Sequence, residues 1–321
     1  MALDRWLNLV PRPPFLAVVG QRDAELWRVL VLIAVCIPLA GFTGLIAYGL
    51  FDSLSEEIAA LTPEVVKGLV SPPLAPVRIK DVAPALGLVG ESRRILAQIA
   101  PECGVLLVLP LFGAAIMGRS WRTWFTSAPR FRWRLLAAGL VGFCAITGLA
   151  MGIDGLMHGF AMSPPLLRTD EAPLARLIYA CVTLVAFLIV ASAEEVLFRG
   201  WMMQQTSVVT TNLVLVLGLN ATAFMFVHLE PDPARNVALL ASGLSVGWIA
   251  LRTGGLEFGI GVHAANNLMI AWFSSPDRIT DLSGRMSAGD LVLQLSVTLS
   301  GLGLAEAVRR SARWQRWTGY G

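Results

Sequence analysis

Long apolar runs alternate with short polar stretches along most of this chain. Eight runs can be placed, at about 28–51, 96–117, 135–160, 174–199, 212–228, 237–253, 256–274 and 291–308. A helix of about 20 predominantly apolar residues crosses the hydrocarbon core of a bilayer. The pattern therefore predicts an all-α fold, a polytopic integral membrane helical bundle with about eight transmembrane helices.

Composition agrees with a membrane protein. Only 15% of the 321 residues are charged and 55% are hydrophobic, whereas a soluble domain carries about 25% charged residues. The first run is too long for the core of a signal peptide, so we interpret it as a retained span. We predict one membrane domain over 1–321, with 1–26 as a cytoplasmic N-terminal segment and 52–95 as a long non-cytoplasmic connection.

Basic residues are concentrated in two stretches that contain no acid, 118–134 and the tail after 308. With eight spans, both stretches lie on the same side of the membrane as the N-terminus. Cytoplasmic segments are enriched in Lys and Arg, so we predict that both termini are cytoplasmic. Arginine interleaved with tryptophan can also bind nucleic acid, but between spans it is typical of a membrane surface. We therefore expect the lipid bilayer as partner and no nucleic acid.

Three ionisable residues close the fourth run, in Ala193-Glu194-Glu195-Val196-Leu197-Phe198-Arg199-Gly200. Each costs about 2.5–3.5 kcal/mol near the middle of a bilayer, so their presence indicates a function. Glu195 and Arg199 are four residues apart with the acid first, the favourable order for a pair on one helix face. Glu194 is rotated by about 100° and has no such partner. We predict a structural acid, Glu195, and a working acid, Glu194.

Two of the chain's three histidines also lie in apolar runs. His228 follows Phe224 by four residues, and His263 precedes Asn267 by four. A lone histidine can simply form a hydrogen bond between helices, and neither spacing is specific alone. Together with Glu194 they supply an acid, bases and a carboxamide on three spans, as needed to activate water and bind an oxyanion.

The three motifs, taken in order, resemble those of a known family. Glu194-Glu195-xxx-Arg199, Phe224-xxx-His228 and His263-xxx-Asn267 are similar to the motifs of the CAAX-protease and bacteriocin-processing (Abi) family of intramembrane endopeptidases. The resemblance covers about 174–275 and predicts a catalytic core there. The first three spans carry none of it.

The resemblance implies a role for each matching residue. Glu194 matches the catalytic glutamate, which activates water together with His228. His263 and Asn267 match the pair that stabilises the oxyanion or completes the site, while Glu195 and Arg199 match the supporting pair. A glutamate in a partly dry cavity can act first as base and then as acid.

A requirement for metal is left open by the sequence. The family is catalogued as metallopeptidases, yet a metal-independent glutamate mechanism is also argued for its members. Glu194, His228 and His263 could hold zinc with one open position, but the HExxH motif is absent. Zinc is therefore one alternative, and no organic cofactor is expected.

Our functional hypothesis is an intramembrane endopeptidase that cleaves a membrane-associated or lipid-modified peptide or protein. Intramembrane acids and histidines also build proton relays, so a proton-coupled transporter is an alternative. A third is a non-catalytic, bacteriocin-immunity-type protein on the same fold. No feature of the chain predicts an oligomeric state.

Two further features affect this interpretation. Gly243-Leu244-Ser245-Val246-Gly247 matches GxSxG, but its mid-span helical context predicts a packing face rather than a nucleophile elbow. Glu102 and Glu257 lie near span ends, where we expect them to reach water.

The depth of His228 is a difficulty for the proposed site. His228 falls at the far end of a span that starts at 212, whereas Glu194 and His263 lie inside theirs. The three residues can meet only if helix continues through 200–211 or the fifth span starts earlier.

Overall fold

A computed structural model gives the architecture of the chain. It describes residues 13–60, 87–159, 164–273 and 285–319, and within these ranges the fold is all-α. The helices are α1 (Leu26–Ala60), α2 (Gly87–Gln98), α3 (Ala100–Met117), α4 (Trp133–His158), α5 (Pro173–Glu195), α6 (Gln204–Val209), α7 (Leu213–Val227), α8 (Pro233–Thr253), α9 (Glu257–Phe273), α10 (Ala288–Arg310) and α11 (Ala312–Thr318). A π-helical segment, Val196–Met203, joins α5 to α6.

The predicted membrane bundle is confirmed, since each of the eight apolar runs corresponds to a helix. Six helices in the described ranges are long and apolar enough to cross a membrane, with α5, the π segment and α6 forming one of them, Pro173–Val209. The fifth and seventh runs form shorter helices, α7 with 15 residues and α9 with 17. The chain is an integral, multi-pass membrane protein.

The predicted connection 52–95 begins and ends in helix, because α1 continues to Ala60 and α2 begins at Gly87. That this connection is non-cytoplasmic stays a prediction. Residues 61–86 lie outside the described part of the chain. Of the predicted N-terminal segment 1–26, residues 13–26 are described, and Phe15 and Leu16 are buried in the helical core.

One end of the bundle gathers the N-terminal segment, the basic connection 118–134 and the C-terminal helix. Arg119 Nε lies 3.2 Å from Asp23 Oδ1, and Arg134 Nη1 donates to the carbonyl of Trp317 at 3.4 Å. If the chain crosses the membrane an even number of times, these segments lie on the same side, as this grouping has them. That this end is cytoplasmic remains a prediction from its charge.

The opposite end is fastened by a contact between two connections. The Asp232 carboxylate accepts a hydrogen bond from the Met286 backbone N–H at 2.6 Å. It also caps α8 by accepting from the Ala234 N–H at 3.1 Å, as aspartate commonly does at a helix N-terminus. The loop before α8 is thereby held against the approach to α10.

The continuous helix Pro173–Val209 resolves the depth of His228. Fifteen residues separate Glu194 from Val209, and fifteen separate Leu213 from His228. At about 1.5 Å per residue, the chain leaves the level of Glu194, turns, and returns by about the same distance of 22 Å. His228 therefore lies at the depth of Glu194, through the extension of helix beyond residue 199.

A close approach of Gly200 to Trp124 and Leu256 fixes the depth at which α9 begins. A Cβ on Gly200 would lie 2.3 Å from the Trp124 carbonyl oxygen and 3.5 Å from Leu256 Cδ1. Six residues separate Gly200 from Glu194, and six separate Glu257, the start of α9, from His263. Equal rises from this shared level bring Glu194 and His263 to the same depth.

The glycines of the GxSxG match form a packing face, as predicted. A Cβ on Gly243 would lie 3.0 Å from the Cα of Ala221, and one on Gly247 would lie 2.9 Å from Leu217 Cδ2. Ser245 is buried inside the uninterrupted helix α8. The stripe therefore brings α8 close to α7.

Candidate active site

A fully buried ion pair supports the site. Arg199 Nη1 lies 3.2 Å from Glu195 Oε1, and neither side chain is exposed. Arg199 also donates to the Gly243 carbonyl at 3.1 Å, and its guanidinium lies 4.6 Å from the centroid of the Phe224 ring. The i, i+4 pair predicted from the sequence is thus present and ties α5 to α7 and α8.

Glu195 also holds the histidine of α9. Its Oε1 lies 2.9 Å from Nδ1 of His263. A carboxylate paired with arginine is acceptor-only, so we assign the proton of this hydrogen bond to Nδ1. The other ring nitrogen of His263, Nε2, is then the one directed toward Glu194.

Glu194 faces away from the buried pair. Its Oε2 lies 3.7 Å from His263 Nε2, and its side chain is 25% exposed. This oxygen has no hydrogen-bond partner within the described residues. Glu194 is therefore the acid left available, as the 100° rotation between adjacent helical residues predicts.

A cavity of about 310 Å³ lies beside this acid, and its walls include Glu194, Phe198, His228 and Glu102. The Nδ1 atom of His228 is 2.7 Å from the Phe224 carbonyl oxygen, one turn earlier in the chain. The centroid of the Phe224 ring lies 4.6 Å from that of the His228 ring and 6.0 Å from that of the His263 ring. The structure thus brings Glu194 together with both histidines.

Asn267 is the predicted site residue for which the structure gives no contact with this group. It lies one turn after His263 in α9, and its Oδ1 accepts a hydrogen bond from Asn266 at 3.4 Å. It does not line the cavity that Glu194 and His228 share. Its role therefore rests on the resemblance and on its helical register with His263.

The π-helical segment places Phe198 and Arg199. Wider π turns leave backbone carbonyls without their usual intrahelical donors and often occur at functional sites. The Asn220 side chain, buried in α7, donates through Nδ2 to the Phe198 carbonyl. Asn220, on the same α7 stripe as Phe224 and His228, thus supports the segment that carries the buried arginine.

The expectation that Glu102 and Glu257 both reach water is wrong for Glu257, whereas Glu102 is half-buried. The Oε2 atom of Glu102 is buried without a hydrogen-bond partner among the described residues, and the side chain lines the cavity of Glu194. Glu257 is fully buried and lies 2.8 Å from Arg132 Nη2. The signal in the sequence for Glu102 is a lone acid near the start of an apolar run.

The side chains of the site do not have the arrangement of a metal centre. Among the described residues, no group of three or more His, Cys, Asp or Glu side chains is arranged to hold a metal ion. Glu194, His228 and His263 are the residues that zinc would need, and they do not form such a group. The described side chains therefore do not fit a zinc ion.

Known proteins resemble the part of the chain that holds this site. Residues 176–269 match the family described as "Type II CAAX prenyl endopeptidase Rce1-like". The chain is therefore similar to the CAAX-type intramembrane endopeptidases over the helices α5 to α9, which contain Glu194, His228, His263 and Asn267.

A curated relative is found as well. The chain is 27% identical over 165 residues to the uncharacterized protein YyaK of Bacillus subtilis (strain 168), covering 49% of this chain and 54% of that protein. The chain thus spans about half the length of this relative. No solved structure gives a significant match.

Proposed function

We propose that this protein is an intramembrane endopeptidase that hydrolyses a peptide bond of a membrane-associated or lipid-modified peptide or protein. The observation that carries the proposal is the arrangement of Glu194, which shares a cavity with His228 and lies 3.7 Å from Nε2 of His263. Ionisable residues inside a membrane bundle cost free energy of insertion, so their presence indicates a function.

Glu194 acts first as the base. Its carboxylate accepts a proton from water while the water oxygen attacks the carbonyl carbon of the scissile bond. His228, which lines the same cavity, orients that water. The carbonyl electron pair moves onto oxygen and gives a tetrahedral oxyanion.

The oxyanion collapses when the C–N bond breaks. Glu194 returns its proton to the departing nitrogen, so that the products are a carboxylic acid and an amine. His263, donating through Nε2 in its protonated form, and Asn267 are proposed to stabilise the oxyanion. Preorganised donors of this kind typically contribute a factor of about 10²–10³ in kcat.

Glu195 and Arg199 act as positioning residues. The Glu195 carboxylate, 2.9 Å from Nδ1, fixes both the tautomer and the ring orientation of His263. Arg199 balances the charge of Glu195 in a site where neither is exposed. An uncompensated buried carboxylate would be costly, so the pair is needed for folding and for chemistry.

The cavity wall also favours one class of substrate. Glu102 presents a second carboxyl group in the cavity of Glu194. An acidic wall favours a substrate with an amine or a basic side chain beside the scissile bond. Peptides that differ only by Lys or Glu at that position should be cleaved at rates that favour Lys, and Glu102→Gln should reduce this preference.

Comparison of membrane peptides tests the proposed function. Cells that express the wild-type chain or the Glu194→Ala variant at equal levels are compared by mass spectrometry for peptides with new termini. We expect at least one precursor to be cleaved only with the wild type. Identical peptide sets, with both proteins inserted in the membrane, would reject proteolysis and favour the transporter or immunity alternative.

A further inference from the structure

A second cavity, of about 510 Å³, lies at the end of the bundle that gathers both described chain ends. It is formed by the connection before α4 and by the C-terminal helix α11, and its walls include Arg130, Arg134 and Arg316. Among the residues that the structure describes, the two cavities have no wall residue in common. Any ligand of this cavity is therefore separate from the proposed peptidase chemistry.

The three arginines have no carboxylate partner in the part of the chain that the structure describes. Arg134 donates to the Trp317 carbonyl at 3.4 Å, and Arg130 and Arg316 are exposed. Arg132, also in the wall, differs because it is paired with buried Glu257 at 2.8 Å. The guanidinium groups of these three arginines thus give the cavity wall a positive charge that no described carboxylate balances. An anionic ligand would supply the missing counter-charge.

Two tryptophans and the ends of two spans place the cavity at the level of lipid headgroups. Trp133 is 71% exposed and Trp317 is 45% exposed, and both line the cavity. The span Trp133–Met157 begins there, and the span Ala288–Arg310 ends just before α11. Exposed tryptophan at a span end is typical of the interface between membrane and water.

We propose that this cavity binds the phosphate headgroup of an anionic phospholipid. Guanidinium groups match phosphate oxygens through paired N–H donors. Basic pockets between transmembrane helices on the cytoplasmic side are suited to such headgroups. The acyl chains would lie along the lipid-facing side of α4, where Val141 and Leu149 are 66% and 68% exposed.

The binding is measured by native mass spectrometry and lipid titration of the purified full chain in a neutral detergent. The probes are phosphatidylglycerol, phosphatidylcholine and inorganic phosphate. The cavity variant is Arg130→Gln/Arg316→Gln. The matched control is Arg122→Gln/Arg313→Gln, which removes the same charge from the same two segments at positions that do not line the cavity.

We expect phosphatidylglycerol to bind in preference to phosphatidylcholine. The cavity variant should bind it about 25-fold more weakly, from about fivefold for each arginine. The control should stay within about threefold of the wild type. Equal weakening in both double variants, or equal binding of the two lipids, would overturn the proposal. Competition by inorganic phosphate at the same concentration as the lipid would reassign the cavity to a soluble anion.

A second variant covers the case in which the glutamine substitutions prevent folding. Arg130→Lys/Arg316→Lys retains both charges but loses the planar donor fork. We expect it to bind phosphatidylglycerol more weakly than the wild type and still in preference to phosphatidylcholine. Binding as tight as that of the wild type would contradict recognition by the guanidinium groups.

Discussion

Glu195 Oε1 lies 2.9 Å from Nδ1 of His263, and this contact links the fourth and seventh apolar runs of the sequence. The same oxygen lies 3.2 Å from Arg199 Nη1. One carboxylate therefore receives both a guanidinium and an imidazole donor. The contact explains why two adjacent glutamates are needed, since Glu195 orients the histidine toward which Glu194 is directed.

The substitution Glu195→Gln tests this positioning role. The amide keeps the shape of the side chain but leaves Arg199 buried without its counter-charge. Breaking a buried pair by removing one partner costs about 3–5 kcal/mol, so we expect a lower unfolding temperature in detergent. We also expect kcat to fall at least about tenfold with a small change in KM, because the tautomer of His263 is no longer fixed.

A structural role alone would give a different result. If Glu195 contributed only to folding, the folded Glu195→Gln variant would retain the wild-type kcat and pH profile. The matched control is Glu230→Gln, which changes a glutamate that forms an ion pair with Arg235 outside the site. Wild-type kcat in folded Glu195→Gln would contradict the positioning role.

Gly200 is predicted to tolerate no side chain. In Gly200→Ala, the new Cβ would lie 2.3 Å from the Trp124 carbonyl oxygen, which is too close without backbone movement. Overpacking of this kind costs about 1–3 kcal/mol. The control is Gly218→Ala in α7, where no described atom beyond the local helix backbone and the two chain neighbours lies within 4 Å of the new Cβ. It should be neutral or slightly stabilising because alanine favours helix. Thermal unfolding of both variants measures the difference, and equal stability would contradict the close approach.

Much of this architecture could be predicted from the hydrophobic pattern. Runs of 17–25 apolar residues mark helices irrespective of their neighbours, so each predicted span corresponds to a helix. The pair Glu195–Arg199 could be predicted for the same reason, since a four-residue spacing is a local property of one helix. The packing face at Gly243 and Gly247 is another local pattern.

The remaining features depend on contacts distant in sequence. The continuation of helix past residue 199 cannot be predicted from the polar residues Gln204 and Gln205. Their side chains donate hydrogen bonds to carbonyls that are distant in sequence, those of Thr123 and Asp23. The burial of Glu257 cannot be predicted from the local sequence, because its partner, Arg132, is 125 residues away in the chain. Glu102 joins the cavity through the packing of α3 beside α5, which no local pattern specifies.

Acidification should weaken the contact that fastens the loop end. Backbone N–H groups of Met286 and Ala234, with Arg235 nearby, lower the pKa of Asp232 below its ordinary value of 3.8. A carboxyl with a depressed pKa in the folded state contributes stability above its unfolded pKa and loses it as the pH falls through the folded pKa. Asp232→Asn should therefore be less stable than the wild type at pH 7, and the difference should shrink below about pH 3.8.

The unfolding temperature of both proteins between pH 3 and pH 7 gives this comparison. The asparagine keeps a side-chain acceptor for the cap of α8, so the change reports the charge rather than the loss of the cap. A constant difference across the range would contradict the assignment of this stability to the Asp232 carboxylate.

Chelation tests whether the protein cleaves its substrate without a metal. Because no step passes through a metal, we expect proteolysis to survive dialysis against EDTA and treatment with 1,10-phenanthroline. Metal analysis of the purified protein gives an independent readout. Loss of activity on chelation with recovery by zinc would contradict the metal-free steps and assign Glu194, His228 and His263 as ligands.

The most direct test of the central claim is a cleavage assay of purified Glu194→Gln in proteoliposomes, with a precursor identified from the membrane peptides. The account predicts that wild type and Glu230→Gln cleave the precursor while Glu194→Gln, with an unchanged unfolding temperature, loses at least about 10³-fold in kcat. Cleavage by folded Glu194→Gln at the wild-type rate would contradict the assignment of Glu194 as the catalytic base.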